Sequence, residues 1–316
     1  MQTREFRQLE NAAALEALKK ETTLPAPTEI VKGLGSPIIA KSLFPLFLKV
    51  FFLISLIIVS SSGNAQTEKW DSLTNLAKIY HQQKEYVKSN ECYEQVIAII
   101  KPFDSDGKLT NKIRGMIALN YVYLGVPLFK AKKYDESKSY FEKALEYSAN
   151  DPKVLPMANS WMGNLYSSQA LEIRVKESNL QQAIEYYIMA ENYYKLANAP
   201  EKYLKEQISR ATTLSDISHI DEAKLLLQQV IGECEGKDKF TILQAKALNE
   251  LGAIEQNSEN YQSAIQNLEK SYNLSFQSDR QNARIAVNRI IRLYEAQIPD
   301  RSKAELWKKR AEELKD

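Results

Sequence analysis

The residues best able to do covalent or metal chemistry are few and scattered. The chain has two histidines, His81 and His219, and two cysteines, Cys92 and Cys234, which form no CxxC pair. A metal site wants several His, Cys or carboxylate ligands at close spacing. A catalytic nucleophile wants a base within reach and a third group to orient that base. Neither arrangement stands out. Seven of the ten glycines lie in residues 66–316, and none belongs to a Gly-rich phosphate loop. No enzyme activity, metal or cofactor is therefore expected, and His81 reads as a polar lining residue.

Charge narrows the partner. Of 42 Lys and Arg and 40 Asp and Glu, seven basic and five acidic residues fall in 1–65, which leaves 35 of each in residues 66–316. A neutral body lacks the basic face that nucleic acid requires. A protein or peptide partner is the expectation, with no nucleic acid.

From Trp70 onward the chain is helix-periodic, and one pattern recurs. A small residue precedes an aromatic or Leu, a tight turn follows, and a second small residue leads a large apolar one by four. The clearest copy runs from Tyr121 through Leu124, Gly125 and Leu128 to Tyr134, Ser137, Phe141 and Ala144, ending at Asp151-Pro152. The first copy has Leu73, Ala77, Tyr80, Tyr86, Ser89, Tyr93 and Val96. The third has Gly163 and Tyr166, then Ala183, Tyr187 and Ala190. A degenerate fourth has Ala211, Leu214, Ala223 and Leu227; the fifth has Leu251, Gly252, Tyr261, Ala264 and Leu268; the last has Ile290, Tyr294, Ala304 and Ala311. The small positions 89, 137, 183, 223, 264 and 304 are spaced 48, 46, 40, 41 and 40 apart.

This register resembles the tetratricopeptide repeat (TPR), whose signature is W-x2-L-G-x2-Y…A-x3-F…P. The resemblance implies an all-α fold, a right-handed α-solenoid of about six TPR-like helix-turn-helix repeats over residues 66–316. Gly125, Gly163 and Gly252 would sit where the first helix of a repeat meets the second. Ser89, Ser137, Ala183, Ala223, Ala264 and Ala304 would do the same from the second helix. The stretch 167–179 should extend the third repeat by about two turns. The last helix, with Leu306, Ala311 and Leu314 as its apolar seam, would cap the stack with a wet outer face. Repeats touch only their neighbours at roughly 10 Å each, so Cys92 and Cys234 would stay well beyond the ~7 Å a disulfide needs.

In this family ligands lie in a concave groove lined by the first helices. Carried over position by position, the resemblance places Lys78, His81, Phe129, Asn164, Lys205, Lys246, Asn249, Asn288, Arg289 and Arg292 in that groove. The C-terminal part of this set is cationic and amide-rich. It suits an acidic peptide or a C-terminal carboxylate, through charge and bidentate bonding. The carboxylate clamp of chaperone-binding relatives is not carried over, because the first repeat has Thr74 and Lys78 where the clamp wants Lys and Asn.

Ahead of the repeats, Val50 to Val59 is apolar but for Ser55, with Lys41 and Lys49 before it and Gly63 and Ala65 just after. An apolar core of ten residues suits a signal-peptide h-region better than a membrane span of about 20. Cleavage would fall before Gln66. The segment resembles the export signals of Bacteroidetes proteins. Residues 1–42 then read as an N-terminal extension, an overextended gene start or a cytoplasmic tail, and 43–65 as a signal peptide or membrane anchor. Either way the repeats face outward, in the periplasm or beyond. The sequence thus points to an exported non-enzymatic scaffold that binds a protein or peptide in its concave groove. The alternative is a sensory ectodomain-like protein acting through a membrane partner.

Overall fold

The computed structural model describes residues 67–177 and 179–314. The export segment and the extension before it lie outside the described residues. Among the described residues there are twelve α-helices and no strands, arranged as TPR-like helical hairpins in an α-solenoid. No helix among them is long and apolar enough to cross a membrane.

In chain order, α1 covers 67–82, α2 Tyr86–Ile100, α3 Lys108–Lys130 and α4 Tyr134–Ser148. Then come α5 Val154–Lys176, α6 Leu180–Leu196, α7 Pro200–Asp216 and α8 Ile220–Cys234. A 3-10 turn at Asp238–Phe240 leads into α9 Thr241–Asn257, followed by α10 Tyr261–Ser275, α11 Arg280–Arg292 and α12 Arg301–Glu312. The described residues divide into two compact units, those up to 124 with 146–151 and 125–145 with those from 152 onward.

The first unit is built on Ala77, Tyr93, Val96, Ile100, Ile113 and Ile117. Ser89 Oγ donates to Ala77 O at 2.8 Å across an interval of twelve residues. That bond lets a small polar residue sit at the helix contact without leaving its hydroxyl unpaired. Asp104 starts α3 by accepting from the backbone N–H of Leu109 (3.2 Å) and Thr110 (2.6 Å). Gly115, which the repeat pattern does not single out, lies so close to the Asp151 carboxylate that a Cβ there would collide with it.

The second unit repeats the device. Ser137 Oγ donates to Gly125 O at 3.0 Å, again twelve residues back. Ala211 and Ala223, and Gly252 and Ala264, keep the same interval, and apart from Gly252 each of these is 0% exposed. A Cβ on Gly125 would stand 2.6 Å from the Phe141 ring, and one on Gly252 would stand 2.7 Å from Leu268. These glycines are spacers, as the repeat implies: the opposing large side chain occupies the room a methyl would need.

The third hairpin departs from the expected register. α5 has 23 residues against 17 in α9, which is the predicted extension of about two turns. However, Gly163 is opposed by Tyr194, at 2.6 Å from a built Cβ, and not by Tyr187. Ala190 and Tyr194 therefore play the parts assigned to Ala183 and Tyr187. The latter two pack with Ala170 in a small cluster of their own within the added turns. Extending both helices moved the true contact pair down the second helix and left a second small-and-aromatic pair in its place.

At the C-terminus, α12 buries Ala304 and Trp307, with Ala311 packed at their edge and Leu314 buried just past the helix end. Leu306, placed in the seam by the sequence reading, is 49% exposed. The steps 304, 307, 311 and 314 follow the helical period, and 306 falls off that face.

Candidate functional site

Three first helices of successive hairpins, α7, α9 and α11, enclose a groove of about 770 Å³ within the second unit. It lies along their N-terminal halves. Glu201, Lys202, Lys205, Ile208 and Ser209 come from α7, Ile242, Leu243, Lys246, Asn249 and Glu250 from α9, and Gln281, Asn282 and Ile285 from α11. Lys239 enters from the 3-10 turn, and Asp279 from the cap of α11.

The polar groups of the groove differ in how they are spent. Asp279 caps α11 by accepting from the N–H of Asn282 at 3.1 Å, and it pairs with Lys246 at 3.4 Å. Lys202 donates to Ser160 Oγ (2.9 Å) and Asn164 Oδ1 (3.0 Å). Burial and the neighbouring Lys205 charge hold its pKa below the usual lysine range. Lys205 and Lys239 make no ion pair among the described residues.

At the floor, Asn249 Nδ2 donates to Asn282 O (3.0 Å) and Asn282 Oδ1 (2.7 Å). Asn282 Nδ2 donates in turn to Ser271 Oγ at 3.0 Å, and Ser271 Oγ to Ala245 O at 2.6 Å. Asn249 Oδ1 is buried and has no partner.

Next to the groove, α6 and α7 hold two buried carboxylates. Arg210 grips Glu191 with two bonds, 2.7 and 3.1 Å. Glu206 has no such partner. Burial first, and the Glu191 charge among lesser causes, raises the Glu206 pKa, opposed by a Ser167 hydrogen bond and by Lys205 and Lys202. The Glu191 carboxyl is also raised by burial, opposed by Arg210.

Of the expected groove residues, Lys205, Lys246 and Asn249 are brought together here. Asn288 and Arg292 are exposed and Arg289 half-buried, all on later turns of α11 and outside the lining. Asn164 is one step removed, bonded to Lys202 and to Tyr194 Oη at 2.9 Å. Phe129 is a packing residue, its ring 5.8 Å from Trp161 and 6.2 Å from Tyr134. In the first unit, Lys78 is exposed. His81 Nδ1 meets Asn120 Oδ1 at 2.6 Å, with Tyr86 and Tyr123 edge-on to its ring. The sequence reading missed Lys202, Lys239 and Asn282 as site residues. Lys202 was detectable as one turn before Lys205; Lys239 stands outside the repeat pattern and gave no signal.

Both thiols are buried and unbridged. Burial pushes the Cys234 thiol up to about 11 and raises that of Cys92, so neither is a ready nucleophile.

A family model described as "Tetratricopeptide repeat" matches residues 71–101 and 121–151. Those two segments are matched as tetratricopeptide repeats. The chain's backbone is similar to that of BtubC (BKLC) from P. vanneervenii, at 16% identity and a TM-score of 0.48, over 73% of this chain and 88% of that one. It is similar to the STAND protein PH0952 with a tetratricopeptide repeat sensor from Pyrococcus horikoshii, at 15% identity and a TM-score of 0.47, over 96% of this chain and 46% of that one. It is also similar to the apo form of the quorum sensor NprR from B. thuringiensis, at 12% identity and a TM-score of 0.40, over 99% and 98%. No curated protein sequence matches the chain. TPR proteins bind protein or peptide partners as scaffolds.

Proposed function

We propose that this chain is an exported, non-enzymatic scaffold that holds a peptide segment of a partner protein in the groove over α7, α9 and α11. The observation that carries the reading is a groove whose lining mixes charged, amide and exposed apolar groups. It joins Lys205 and Lys239, which pair with no carboxylate among the described residues, with Glu201 and Glu250 and with isoleucines 39% and 44% exposed at Ile242 and Ile285. Apolar pockets with a few convergent polar groups are where ligands bind. Export is supported by the apolar segment Val50–Val59 with its basic lead and small residues after it.

Two measurements test this. N-terminal sequencing of the protein from fractionated cells should find a mature envelope or secreted form starting at Gln66. An unprocessed cytoplasmic form would overturn export. A photo-crosslinking residue at Ile242 should capture a partner, while one at Leu225, exposed on α8 outside the lining, should not. Crosslinks confined to Leu225 would overturn the groove.

A further inference from the structure

Glu206 is a carboxyl set between two cations that it does not pair with. Lys202 and Arg210 stand one turn before and one turn after it on α7, so the three share a helix face, with Cβ atoms about 5–6 Å apart. Both cations are drawn away. Arg210 grips Glu191 of α6 with bonds of 2.7 and 3.1 Å. Lys202 crosses to α5, where it donates to Ser160 Oγ at 2.9 Å and Asn164 Oδ1 at 3.0 Å, with its ammonium 5.3 Å from the centre of the Tyr194 ring. Glu206 is left 3% exposed, with the Ser167 hydroxyl of α5 against it.

The two cations are not equally held. Arg210 faces a full charge, and Glu191, itself buried, would be stranded by its loss. Lys202 has two neutral oxygens. A bond to an ionised carboxylate is about twice as strong as one to a neutral acceptor. Departure also strands nothing on α5: Asn164 Oδ1 keeps the Tyr194 hydroxyl, and Ser160 is half-buried, within reach of water.

The other groups around Glu206 offer no substitute for Lys202. From α6 it faces Glu191, Tyr194 and Tyr187, and behind Tyr187 stands Arg174, paired with Asp216 at 3.1 Å. Lys205, on its own helix, is exposed. Glu250 of α9 meets Thr212 instead, at 3.5 Å. α8 packs on the apolar Ala211 and Leu214.

We propose that Glu206 and Lys202 form a pH-operated latch between the third and fourth hairpins. While Glu206 keeps its proton, Lys202 ties α7 to Ser160 and Asn164 on α5. When Glu206 gives that proton to solvent, Lys202 turns back along α7 to pair with the carboxylate, and the tie opens. Burial favours the neutral carboxyl, so the change falls above the ordinary value of 4.5, and acid closes the latch. Lys202 also lines the groove, so that wall changes with the latch whatever the groove holds.

The test is a carboxyl titration by NMR on the full chain, isotope-labelled at glutamate, with Glu206→Gln identifying the Glu206 signal. Its midpoint should lie above 4.5. Lys202→Met, at an exposed position, should raise the midpoint, with the proton held about tenfold more tightly. Asn164→Ala should lower it, because a Lys202 without its tie on α5 is freer to pair with the carboxylate. A merely structural Asn164 would leave the midpoint where it was. Urea denaturation then reads the tie itself. Lys202→Met and Asn164→Ala should be coupled by about fivefold in the unfolding equilibrium at pH 4.5, and independent at pH 8.

A midpoint at or below 4.5 would overturn the switch. A midpoint unmoved by Lys202→Met would overturn Lys202 as the partner, and one unmoved by Asn164→Ala would overturn the competition between the helices. Equal coupling at both pH values would show that Lys202 never leaves α5, and the latch would fall.

Discussion

Asn120 in the first unit and Asn249 in the second are both asparagines on the first helix of a hairpin, 0% and 3% exposed, and both anchor a hydrogen-bonded network. They differ in closure. Asn120 Nδ2 donates to Ser89 Oγ (2.9 Å) and Asn90 Oδ1 (2.7 Å), Ser89 Oγ passes on to Ala77 O, and Asn120 Oδ1 accepts from His81 Nδ1. Every polar atom of that amide is used, which also fixes the proton of a neutral His81 on Nδ1. Asn249 spends its nitrogen in the same way and keeps its oxygen unpaired. In the first network the unpartnered atom lies one step out, at Asn90 Nδ2; in the second it is on the anchoring amide itself.

The sharpest way to break this contrast is to truncate both. Asn120→Ala strands the buried Ser89, Asn90 and His81 groups and should cost about 3 kcal/mol. Asn249→Ala leaves a similar void but also deletes an atom that was already unsatisfied, so it should cost about half as much. Chemical denaturation of the two variants measures the difference. Equal losses would mean that the free oxygen of Asn249 carries no penalty, and the contrast would be lost.

The glycine spacers come next. Gly125→Leu and Gly252→Leu should each destabilise by about 1–3 kcal/mol through overpacking against Phe141 and Leu268. Gly163→Leu should do the same against Tyr194, whereas Ala183→Leu should disturb only the cluster with Ala170 and Tyr187. Thermal melts in which Ala183→Leu is the worse of the last two would restore the register first read from the sequence.

That register shows where the sequence was legible. Its first two copies coincide with the matched segments 71–101 and 121–151. The twelve-residue interval between small residues could be read because each hairpin there has a standard turn. In the third hairpin, added turns on both helices inserted a second pair with the same residue types, and pattern alone chose the nearer one. The site was half legible. Lys205, Lys246 and Asn249 follow from repeat positions. Lys239 comes from a connection with no repeat position, and the orientation of Asn249 depends on Asn282 from the following hairpin. Arg289 and Arg292 share the α11 face of Ile285 but sit beyond the end of the groove, a limit along the helix axis that a face-by-face reading does not contain.

Acid should act in opposite senses on a buried carboxyl of the second unit, Glu206, and an exposed one of the first, Asp106. The raised pKa of Glu206, caused mainly by burial, means that the folded state holds its proton more tightly than the unfolded chain does. That contribution is fully present below the ordinary value of 4.5 and is lost as pH rises through the raised one. Lys202, Lys205, Glu191, Ser167 and Tyr194 are the groups that face it. Glu206→Gln should therefore stabilise the protein at pH 8, with the gain vanishing near pH 4.5. In the first unit, Lys108 holds the Asp106 carboxyl low, so its small contribution is present above the usual carboxylate value and fades as pH falls through the depressed one. A Glu206→Gln gain that is the same at both pH values would show that its carboxylate is not desolvated.

The smallest expected effect lies in the turns, and there the two units should agree. Lys84, Lys132, Ser218 and Glu259 each hold a positive φ, between 59° and 66°. Lys84 N donates to His81 O (3.0 Å) with Glu85 N to Tyr80 O (2.9 Å), and Glu259 N to Gln256 O (3.1 Å) with Asn260 N to Glu255 O (2.9 Å). The geometry repeats, yet no glycine marks it, which is why the sequence did not reveal it. A side chain in this region costs about 1 kcal/mol, and glycine removes that cost while adding entropy to the unfolded chain. Lys84→Gly and Glu259→Gly should each gain about 0.5 kcal/mol. Matching gains would show that one local turn was copied into both units and that their differences begin only above it, in how each asparagine is bonded. Unequal gains, read by denaturant midpoints at constant m, would place a difference already in the turn.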